Sequence, residues 1–304
     1  MQRFSKIVIA VLMLGVSLNS YAETDSEVLR PTDLRVTSFN IKWYGLGGSL
    51  EGNPSKEKRD GTIRDFISNY VPESDVMIFE EVVDKNRLIK NILPAGTRCV
   101  SYQHQDSKHQ YVLVCVSDKY TFMDEPSDNN DVIDDVAINS RSRPAVHAIV
   151  AKNGRPVLRV VGVHLKAMPN ESKSRLFQIE KIGEYLQNVS DTRIPVVITG
   201  DFNTYDVGNT GLNENDDVLF DRIFTRLSLN ISQVPNPHSY TYWSPRYQSK
   251  FDRFWASGNA PIQGQVVASG MCNKSKPQGP FNDANYYSRN VSDHCPVTVT
   301  MKLK

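Results

Sequence analysis

The stretch Pro195-Val-Val-Ile-Thr-Gly-Asp-Phe-Asn203 joins an apolar run to two polar residues. The apolar part predicts a buried β-strand, and Gly200 is typical of the point at which such a strand ends. Because side chains two residues apart in a strand point to the same face, Asp201 and Asn203 are expected side by side at its end. A carboxylate next to a carboxamide at that place favours a phosphate or metal site, since it contributes little to a hydrophobic core.

Polar residues of the metal-ligand or acid–base type lie at the ends of other apolar runs as well. One such residue alone is usually a cap or a turn residue. A whole set of them indicates a site, because sites in α/β sheets gather at the carboxyl ends of strands. Besides Asp201 and Asn203, the members of this set are Asn40, Glu81, His164, Asp252, Asp293 and His294.

Apolar patterns along the chain predict alternating strands and helices. The 304 residues, 39% of them hydrophobic, suffice for one large domain or two small ones, and the sequence shows neither an internal repeat nor a linker. The predicted helices span residues 56–70, 172–189 and 215–227. The predicted strands span residues 34–41, 75–82, 251–256 and 295–303, with several antiparallel strands between 99 and 161.

The N-terminus predicts a secretory signal peptide over residues 1–22. Arg3 and Lys6 precede the twelve-residue apolar run Ile7–Leu18, and the small residues of Ser20-Tyr21-Ala22 follow it. This order is typical of a cleaved signal peptide, and the alternative is a buried N-terminal helix. The apolar run is short for a membrane span. Residues 23–304 would then form a single secreted or periplasmic domain. Without Arg3 and Lys6, 33 of the 35 basic side chains remain against 34 acidic ones, a net charge of −1.

The four cysteines Cys99, Cys115, Cys272 and Cys295 agree with export, because an even number in an exported chain indicates two disulfides. Four cysteines allow three pairings. Cys99 and Cys115 lie in neighbouring strand-like runs that predict a hairpin, which leaves Cys272 and Cys295 as the natural second pair. Zinc binding is the weaker alternative, since the sequence has no Cys-x-x-Cys spacing.

Six short motifs follow one another along the chain: Ser38-Phe-Asn40, Glu80-Glu-Val82, Gly162-Val-His-Leu165, Gly200-Asp-Phe-Asn203, Phe251-Asp-Arg253 and Ser292-Asp-His294. In this order they resemble the endonuclease/exonuclease/phosphatase superfamily, whose best-known member is the pancreatic-type deoxyribonuclease. The resemblance covers residues 33 to 303 and depends on the ordered set, because each motif alone is weak. It implies an α/β fold, a four-layer α/β/β/α sandwich of two mixed β-sheets packed face to face, with flanking helices and the site at one edge.

The resemblance implies catalytic roles for five residues. His294 resembles the general base that takes a proton from the attacking water, and Asp252 resembles the acid that orients its imidazole. His164, Asp201 and Asn203 resemble the groups that hold the phosphoryl oxygens. Phosphodiester hydrolysis gathers negative charge on the equatorial oxygens. The implied mechanism offsets that charge with a divalent cation and one protonated imidazole, while the second imidazole activates water.

The resemblance also implies a divalent-metal site. Glu81 resembles the family's main Mg²⁺ ligand, with Asn40 beside it and Asp293 as a further carboxylate, and Mn²⁺ is expected to substitute. Mg²⁺ needs only one or two carboxylates besides waters and substrate oxygens. The acidic segment 124–135 has two interpretations, a site for structural Ca²⁺ or a solvated loop, and its composition favours the loop.

Two positions differ from the family's usual pattern. Many members have Gln-Glu where this chain has Glu80-Glu81, and Glu81 is taken as the ligand because Glu80 would face the other way in a strand. The deoxyribonuclease also has a glutamate that pairs with its counterpart of His164. The similar stretch here offers His109 or Gln110, which leaves the second His–carboxylate pair, and with it the protonation of His164, open.

Basic and aromatic residues indicate how a substrate would be held. Arg141 and Arg143 both resemble the family's phosphate-contacting arginine before proline, and the spacing does not distinguish them. The segment 240–250 mixes aromatic with basic side chains, a mixture typical of surfaces that follow a nucleic-acid backbone, although core packing of the aromatics is the alternative. No clear run of exposed apolar residues predicts a hairpin that inserts into a membrane.

Together these features predict a secreted metal-dependent phosphodiesterase, a deoxyribonuclease or endonuclease that acts on nucleic acid, DNA first. The alternatives are a secreted sphingomyelinase or phosphoinositide phosphatase of the same fold, and a catalytically inactive binding module. Five Asn-x-Ser sequons, one of them at Asn290 beside the predicted site, favour a bacterial source that does not N-glycosylate. A monomer is the expected state for this fold.

Overall fold

The computed structural model describes residues 33–46, 54–102, 110–123, 132–138, 142–189, 191–205 and 212–303. The predictions for the signal peptide, for Arg141, for His109 and for most of the segment 124–135 lie outside these residues. The described residues belong to one compact unit, Thr32–Lys304. None of the helices among them is long and apolar enough to cross a membrane.

Strands and helices alternate along the described residues. The strands are β1 (Asp33–Tyr44), β2 (Val76–Val82), β3 (Arg98–Val100), β4 (Tyr111–Val116), β5 (Thr121–Met123), β6 (Val132–Ile133), β7 (Ala145–Lys152), β8 (Arg155–His164), β9 (Val196–Asp201), β10 (Ile231–Gln233), β11 (Tyr242–Trp243), β12 (Gln248–Ser249), β13 (Asp252–Ser257), β14 (Ile262–Ala268) and β15 (Val297–Lys302). The helices are α1 (Lys56–Tyr70), α2 (Lys85–Asn91), α3 (Ser172–Asn188), α4 (Asp216–Arg226) and α5 (Ala284–Asn290). Short 3₁₀ turns span Asp134–Val136, Pro169–Glu171, Gly270–Cys272 and Gly279–Asn282.

The strands form two mixed sheets and a small hairpin. The first sheet has the order β14-β15-β1-β2-β4-β3, and the second has the order β10-β13-β9-β8-β7-β5 with β6 also paired to β7. Each sheet contains one parallel pair, β1 with β2 and β8 with β9, among antiparallel ones. Strands β11 and β12 pair with each other, and Tyr242 of β11 also forms an isolated antiparallel bridge with His294. The carboxyl ends of both parallel pairs carry the predicted site residues.

The inner faces of the two sheets pack against each other. The sheets approach closely at Gly162 in β8, because a Cβ atom there would lie 3.0 to 3.2 Å from the side chains of Ile78, Val112 and Val114 in the first sheet. Contacts shorter than about 3.4 Å are rare for real Cβ atoms, so a larger residue would force the sheets apart. Close packing of this kind fixes the position of one sheet relative to the other.

Helices cover both outer faces. On the first sheet, Phe66 of α1 packs against Phe39 of β1 and Tyr287 of α5, with ring centroids 6.2 and 5.1 Å apart. The helices α3 and α4 cover the second sheet with buried apolar side chains, namely Ile179, Ile182, Phe220 and Phe224. These four layers confirm the predicted α/β/β/α sandwich.

Two disulfides link elements near the edges of the first sheet. Cys99 and Cys115 join the neighbouring strands β3 and β4 directly across the hairpin. Cys272 and Cys295 join the turn after β14 to the residues just before β15, and both are buried. The predicted pairing is therefore confirmed. The second disulfide lies one residue after His294, so it anchors the chain that carries this imidazole.

Replacing Cys272 and Cys295 together by serine is expected to lower the free energy of unfolding by about 3 kcal/mol, because the disulfide constrains the unfolded chain. Its half-cystines are 23 residues apart. Guanidinium unfolding followed by circular dichroism measures the change. The Cys99→Ser/Cys115→Ser variant is the matched comparison, since its half-cystines are 16 residues apart and predict a similar loss. Unfolding midpoints equal to that of the wild type in both variants would contradict this account.

Candidate active site

Strand register in the second sheet brings three predicted residues together. His164 at the end of β8 pairs with Asp201 at the end of β9, and Asp201 in turn pairs with Asp252 at the start of β13. Gly200 makes this approach possible, because its φ of +148° suits glycine and a Cβ there would lie 1.9 Å from the carbonyl oxygen of Val163. The sequence pattern placed these residues at strand ends, and the register makes them neighbours.

Asn40 connects the first sheet to this group. It lies in β1, and its Nδ2 donates hydrogen bonds to Asp201 Oδ2 at 3.0 Å and to Glu81 Oε1 at 3.3 Å. Its own Oδ1 accepts from the backbone nitrogen of Lys42. Since β1 and β2 run parallel, Asn40 and Glu81 reach the same edge of the sheet. The predicted residues of both sheets therefore form one cluster.

The two adjacent glutamates have different surroundings, as the sequence predicts. Glu81 faces the cluster: its Oε2 accepts from the backbone nitrogen of Trp43 at 3.1 Å, and its Oε1 lies 4.0 Å from His164 Nε2. Glu80 is fully buried and accepts a hydrogen bond from Ser38 Oγ at 2.9 Å. Burial, together with negative charge nearby, raises the pKa of Glu80 well above its usual range. This shift favours the protonated form of Glu80.

His294 is paired with Asp252 in a buried ion pair. Its Nδ1 lies 2.9 Å from Asp252 Oδ2, and its Nε2 lies 3.7 Å from Asp201 Oδ2. Burial alone would lower the pKa of His294, but the two carboxylates and the hydrogen bond to Asp252 outweigh it and hold the pKa well above its usual range. The Nδ1 proton is thus directed at Asp252, while Nε2 faces the cluster.

Two hydroxyl groups hold this pair in place. Ser292 Oγ donates to the carbonyl oxygen of Asn40 at 2.7 Å and accepts from the backbone nitrogen of His294 at 3.1 Å. Thr241 Oγ1 accepts from the backbone nitrogen of Asp252 at 2.9 Å. Both hydroxyls are fully buried. Neither hydroxyl was given a role from the sequence, because nothing in the local pattern around Thr241 points to a partner eleven residues away.

His164 has the opposite protonation tendency. Its Nε2 lies 3.4 Å from Asp201 Oδ2, while its buried Nδ1 has no hydrogen-bond partner among the described residues. Burial, the Arg143 guanidinium and the His294 imidazole together hold the pKa of His164 well below its usual range. These surroundings favour the neutral form of the His164 imidazole, whose protonation the sequence left open.

Arg143 lies within the cluster. Its Nε donates to Gln110 Oε1 at 3.1 Å, and Nη2 donates to the same oxygen. Burial lowers the pKa of Arg143, against the opposing charges of Glu81 and Asp201. Gln110 is thereby engaged with Arg143 and makes no bond to His164 Nδ1. Of the two candidate arginines, Arg143 is the one that the described structure places beside the carboxylates.

A further carboxylate is held farther out by a lysine. Asp293 Oδ2 lies 3.3 Å from Lys42 Nζ. Arg59, from α1, fixes the backbone around both: its Nη2 donates to the carbonyl oxygens of Ile41, Lys42 and Val291 at 2.6 to 2.8 Å. Arg59 is a positioning residue that sequence reasoning missed, because its partners include one 232 positions away.

Backbone strain is concentrated around the cluster. Among the described residues, seven non-glycine positions have positive φ, and most of them surround the site, namely Lys42 (46°), Trp43 (48°), Glu81 (59°), Met168 (89°) and Asn203 (49°). Each such conformation costs on the order of 1–3 kcal/mol and persists only where the surroundings enforce it. At Glu81 the left-handed turn is what directs the carboxylate toward Asn40.

The cluster's donors suit a hard divalent cation. No group of three or more His, Cys, Asp or Glu side chains close enough to hold a metal occurs in the part of the chain described. Mg²⁺ takes only one or two carboxylates and completes its shell with waters and substrate oxygens. Glu81 supplies such a carboxylate. Asn40 donates to it from Nδ2 at 3.3 Å, and its Oδ1, the atom that would bind a cation, accepts from the backbone nitrogen of Lys42.

Known proteins resemble the chain in structure and not in sequence. No family model matches it, and no curated protein matches it. D. rerio TDP2 humanised by 14 mutations superposes with a TM-score of 0.60 at 15% identity, covering 89% of this chain and 99% of that one. The human Nocturnin catalytic domain with a bound sulfate anion has a TM-score of 0.59 at 18% sequence identity. The match covers 91% of this chain and 96% of that one. An endonuclease/exonuclease/phosphatase family protein from Bacteroides thetaiotaomicron has a TM-score of 0.57 at 15% sequence identity. The match covers 90% of this chain and 98% of that one.

The chain has the endonuclease/exonuclease/phosphatase fold. At these identities the likeness establishes the fold alone, and at that level it confirms the resemblance found in the six motifs. In this endonuclease/exonuclease/phosphatase fold, the cluster around Asp201 lies at the edge where the parallel pairs of both sheets end. The roles of its residues are argued from their geometry.

Glu81→Gln is expected to weaken Mn²⁺ binding at least about tenfold, because even residues that only support a metal ligand typically contribute that much. Glu80→Gln is the matched control. Glu80 is fully buried against Ser38, so an amide of the same shape should leave metal affinity unchanged. Isothermal titration calorimetry measures both affinities. Weaker binding in Glu80→Gln with normal binding in Glu81→Gln would reverse the assignment.

Asp252→Asn is expected to lower the pKa of His294, since it removes the carboxylate that stabilises the imidazolium. The NMR titration of the imidazole nitrogens measures the pKa in each protein. Asp65→Asn, which removes an exposed carboxylate from α1, is the control and should leave the titration unchanged. An unchanged pKa of His294 in Asp252→Asn would show that this carboxylate does not control the imidazole.

Proposed function

We propose that this protein is a metal-dependent phosphodiester hydrolase that cleaves nucleic acid, a secreted endonuclease that acts on DNA. The observation that carries the proposal is the placement of Asp201 between two buried imidazoles, at 3.4 Å from His164 and 3.7 Å from His294, with Asp252 behind His294. A base with its own orienting carboxylate, next to a second imidazole of different protonation, is an arrangement for acid–base catalysis.

His294 serves as the general base. Asp252 holds its Nδ1–H, which leaves Nε2 to accept a proton from the attacking water. Because the surrounding carboxylates raise the pKa of His294, the base form is gained as the pH rises, so activity should increase toward alkaline pH. Ser292 and Thr241 keep the imidazole and the carboxylate aligned through their backbone hydrogen bonds.

Arg143, His164 and Asn203 stabilise the phosphoryl oxygens. Arg143 supplies a positive charge beside Glu81 and Asp201. His164, being neutral, contributes the hydrogen bond of its Nε2–H instead. Asn203 is held beside it, since its backbone nitrogen donates to Asp201 Oδ1 and its Nδ2 donates to the carbonyl oxygen of Leu165. Charge and hydrogen bonds thus come from separate groups.

Glu81 and Asn40 would hold a Mg²⁺ or Mn²⁺ ion, with Asp293 as a further carboxylate. Such an ion, when bound, offsets charge on the scissile phosphate and lowers the pKa of a nearby imidazolium. The chain's own contribution is to hold Glu81 in its left-handed turn, through the bonds from Trp43 and Asn40. Lys42 keeps Asp293 near this position.

The two disulfides support a secreted or periplasmic location, because such links persist in oxidising compartments. A nucleic-acid substrate is supported by the aromatic and basic side chains that border the cluster. Tyr242 packs on His294 with ring centroids 4.9 Å apart, and Tyr247 packs on Tyr242 at 5.3 Å. Aromatic faces of this kind stack with bases. The near-zero net charge means that binding depends on this local surface.

Purified protein is expected to nick supercoiled plasmid and cut single-stranded circular DNA with Mg²⁺, and to lose both activities in EDTA. His294→Ala should lower kcat by about 10²- to 10⁴-fold, the scale of general-base catalysis. Phe177→Ala is the control for handling and folding, because it removes an exposed aromatic ring of α3. Hydrolysis of sphingomyelin or a phosphoinositide in place of DNA would refute the substrate. If the folded protein hydrolysed neither DNA nor sphingomyelin nor a phosphoinositide, the binding-module alternative would be favoured.

A further inference from the structure

A large cavity opens beside the catalytic cluster. It has a volume of about 910 Å³ and lies between the residues that follow β8, those that follow β9 and the hairpin of β11 and β12. Its lining includes Met168, Tyr205, Asn236, Tyr247 and Lys250. Cavities of about 300–1,000 Å³ are the size that encloses small organic ligands. None of the catalytic steps above uses this space.

The cavity begins where the catalytic residues end. Thr204, which lines it, directly follows Asn203. On another side, Tyr247 is linked to the general base through one intervening ring, since Tyr242 packs against both Tyr247 and His294. A group attached to a phosphate at the catalytic cluster would therefore reach the cavity without a long spacer.

Part of the cavity wall is fixed by a buried ion pair. Arg175 of α3 is fully buried, and its Nη2 lies 2.8 Å from Asp216 Oδ2. The same guanidinium donates to the carbonyl oxygens of Lys166 and Met168 at 3.0 and 2.7 Å. Asp216 Oδ2 also accepts from the backbone nitrogen of Tyr205, whose ring lies 5.1 Å from the guanidinium carbon. Met168 and Tyr205 are thus held in place before any ligand arrives.

The lining offers the contacts that a nucleobase uses. Tyr247 is 47% exposed, so its ring is open to stacking, and the thioether side chain of Met168 is 57% exposed. Amide side chains that can bond base edges come from Gln233, Asn236 and Gln248. The Nδ2 of Asn236 is buried and has no hydrogen-bond partner among the described residues. A ligand carbonyl or an ordered water that enters this recess would supply the missing acceptor.

The charge of the lining suits one phosphate group. Arg253 is neutralised, because its Nη1 lies 2.5 Å from Asp217 Oδ2. Lys250 Nζ donates to the carbonyl oxygen of Asn236 at 3.2 Å and forms no ion pair with a carboxylate of the described residues. Its positive charge is therefore available to an anion, and a lysine ammonium binds phosphate as a point charge.

We propose that this cavity binds one unpaired nucleotide next to the scissile phosphate, with its base on Tyr247 and its phosphate near Lys250. The proposal rests on the proposed nuclease function and narrows its substrate. A base inside a duplex is stacked on both faces and must leave the stack to enter such a cavity. The preferred substrate is therefore single-stranded or locally unpaired nucleic acid, and a regular double helix is bound less well.

Fluorescence anisotropy of labelled ten-nucleotide DNA in EDTA tests this subsite without any cleavage. The single strand is expected to bind more tightly than the duplex of the same length. Tyr247→Ala should weaken single-strand binding about tenfold, the scale of one lost base stack, whereas Tyr247→Phe keeps the ring and should bind normally. Lys250→Gln should weaken binding as well. Phe177→Ala and Lys302→Gln, both exposed, are the matched controls.

Equal binding of single strand and duplex, or normal binding by Tyr247→Ala, would overturn the proposal. Displacement of the bound strand by glycerophosphoinositol and not by a mononucleotide would overturn it too, in favour of a lipid headgroup. Hydrolysis of methyl 4-nitrophenyl phosphate, which carries no base, separately tests the catalytic cluster. If the protein binds the single strand normally but does not hydrolyse methyl 4-nitrophenyl phosphate, the proposed hydrolase is rejected. If it hydrolyses this compound and Tyr247→Ala still binds the single strand normally, only the subsite is rejected.

Discussion

Asn40 donates one hydrogen bond from the first sheet to Asp201 in the second, and the distances within the cluster depend on that contact. The two sheets are separate hydrogen-bonded units, and side-chain contacts such as this one help to hold one sheet against the other. Close packing around Gly162 sets the spacing of the sheets, and Asn40 sets the alignment of their edges. Glu81 lies 4.0 Å from His164 Nε2, and its bond to Asn40 holds it at the shared edge.

The fold and the site's main residues could be predicted because their signals are local. The helix Lys56–Tyr70 has a capping serine and a periodic buried face, and its bounds match the prediction residue for residue. Asp201 was identifiable as a polar residue directly after an apolar run. The helix Ala284–Asn290 was missed, since it has seven residues and buries only Tyr287, which leaves no period to detect. Arg59 was missed because its partners are set by the tertiary fold.

The protonation of the two histidines could not be predicted from sequence. Both are buried imidazoles, and burial alone lowers the pKa of each. Their surroundings separate them, since Asp252 accepts a hydrogen bond from His294, whereas Arg143 stands beside His164. The resemblance named both histidines and left the protonation of His164 open, and these contacts are what separate the two pKa values. The difference lies in contacts between residues far apart in the chain.

Asp201 lies within 4 Å of both imidazoles, so its proton equilibrium belongs to the whole cluster. Neutralising or removing any one of the three groups changes the field at the other two. The kinetic effects of single substitutions at these positions will overlap, and their free energies will not sum to that of a combined variant. A double-mutant cycle between His164 and His294 will consequently give a coupling energy, and that energy measures how far the site works as one chemical group.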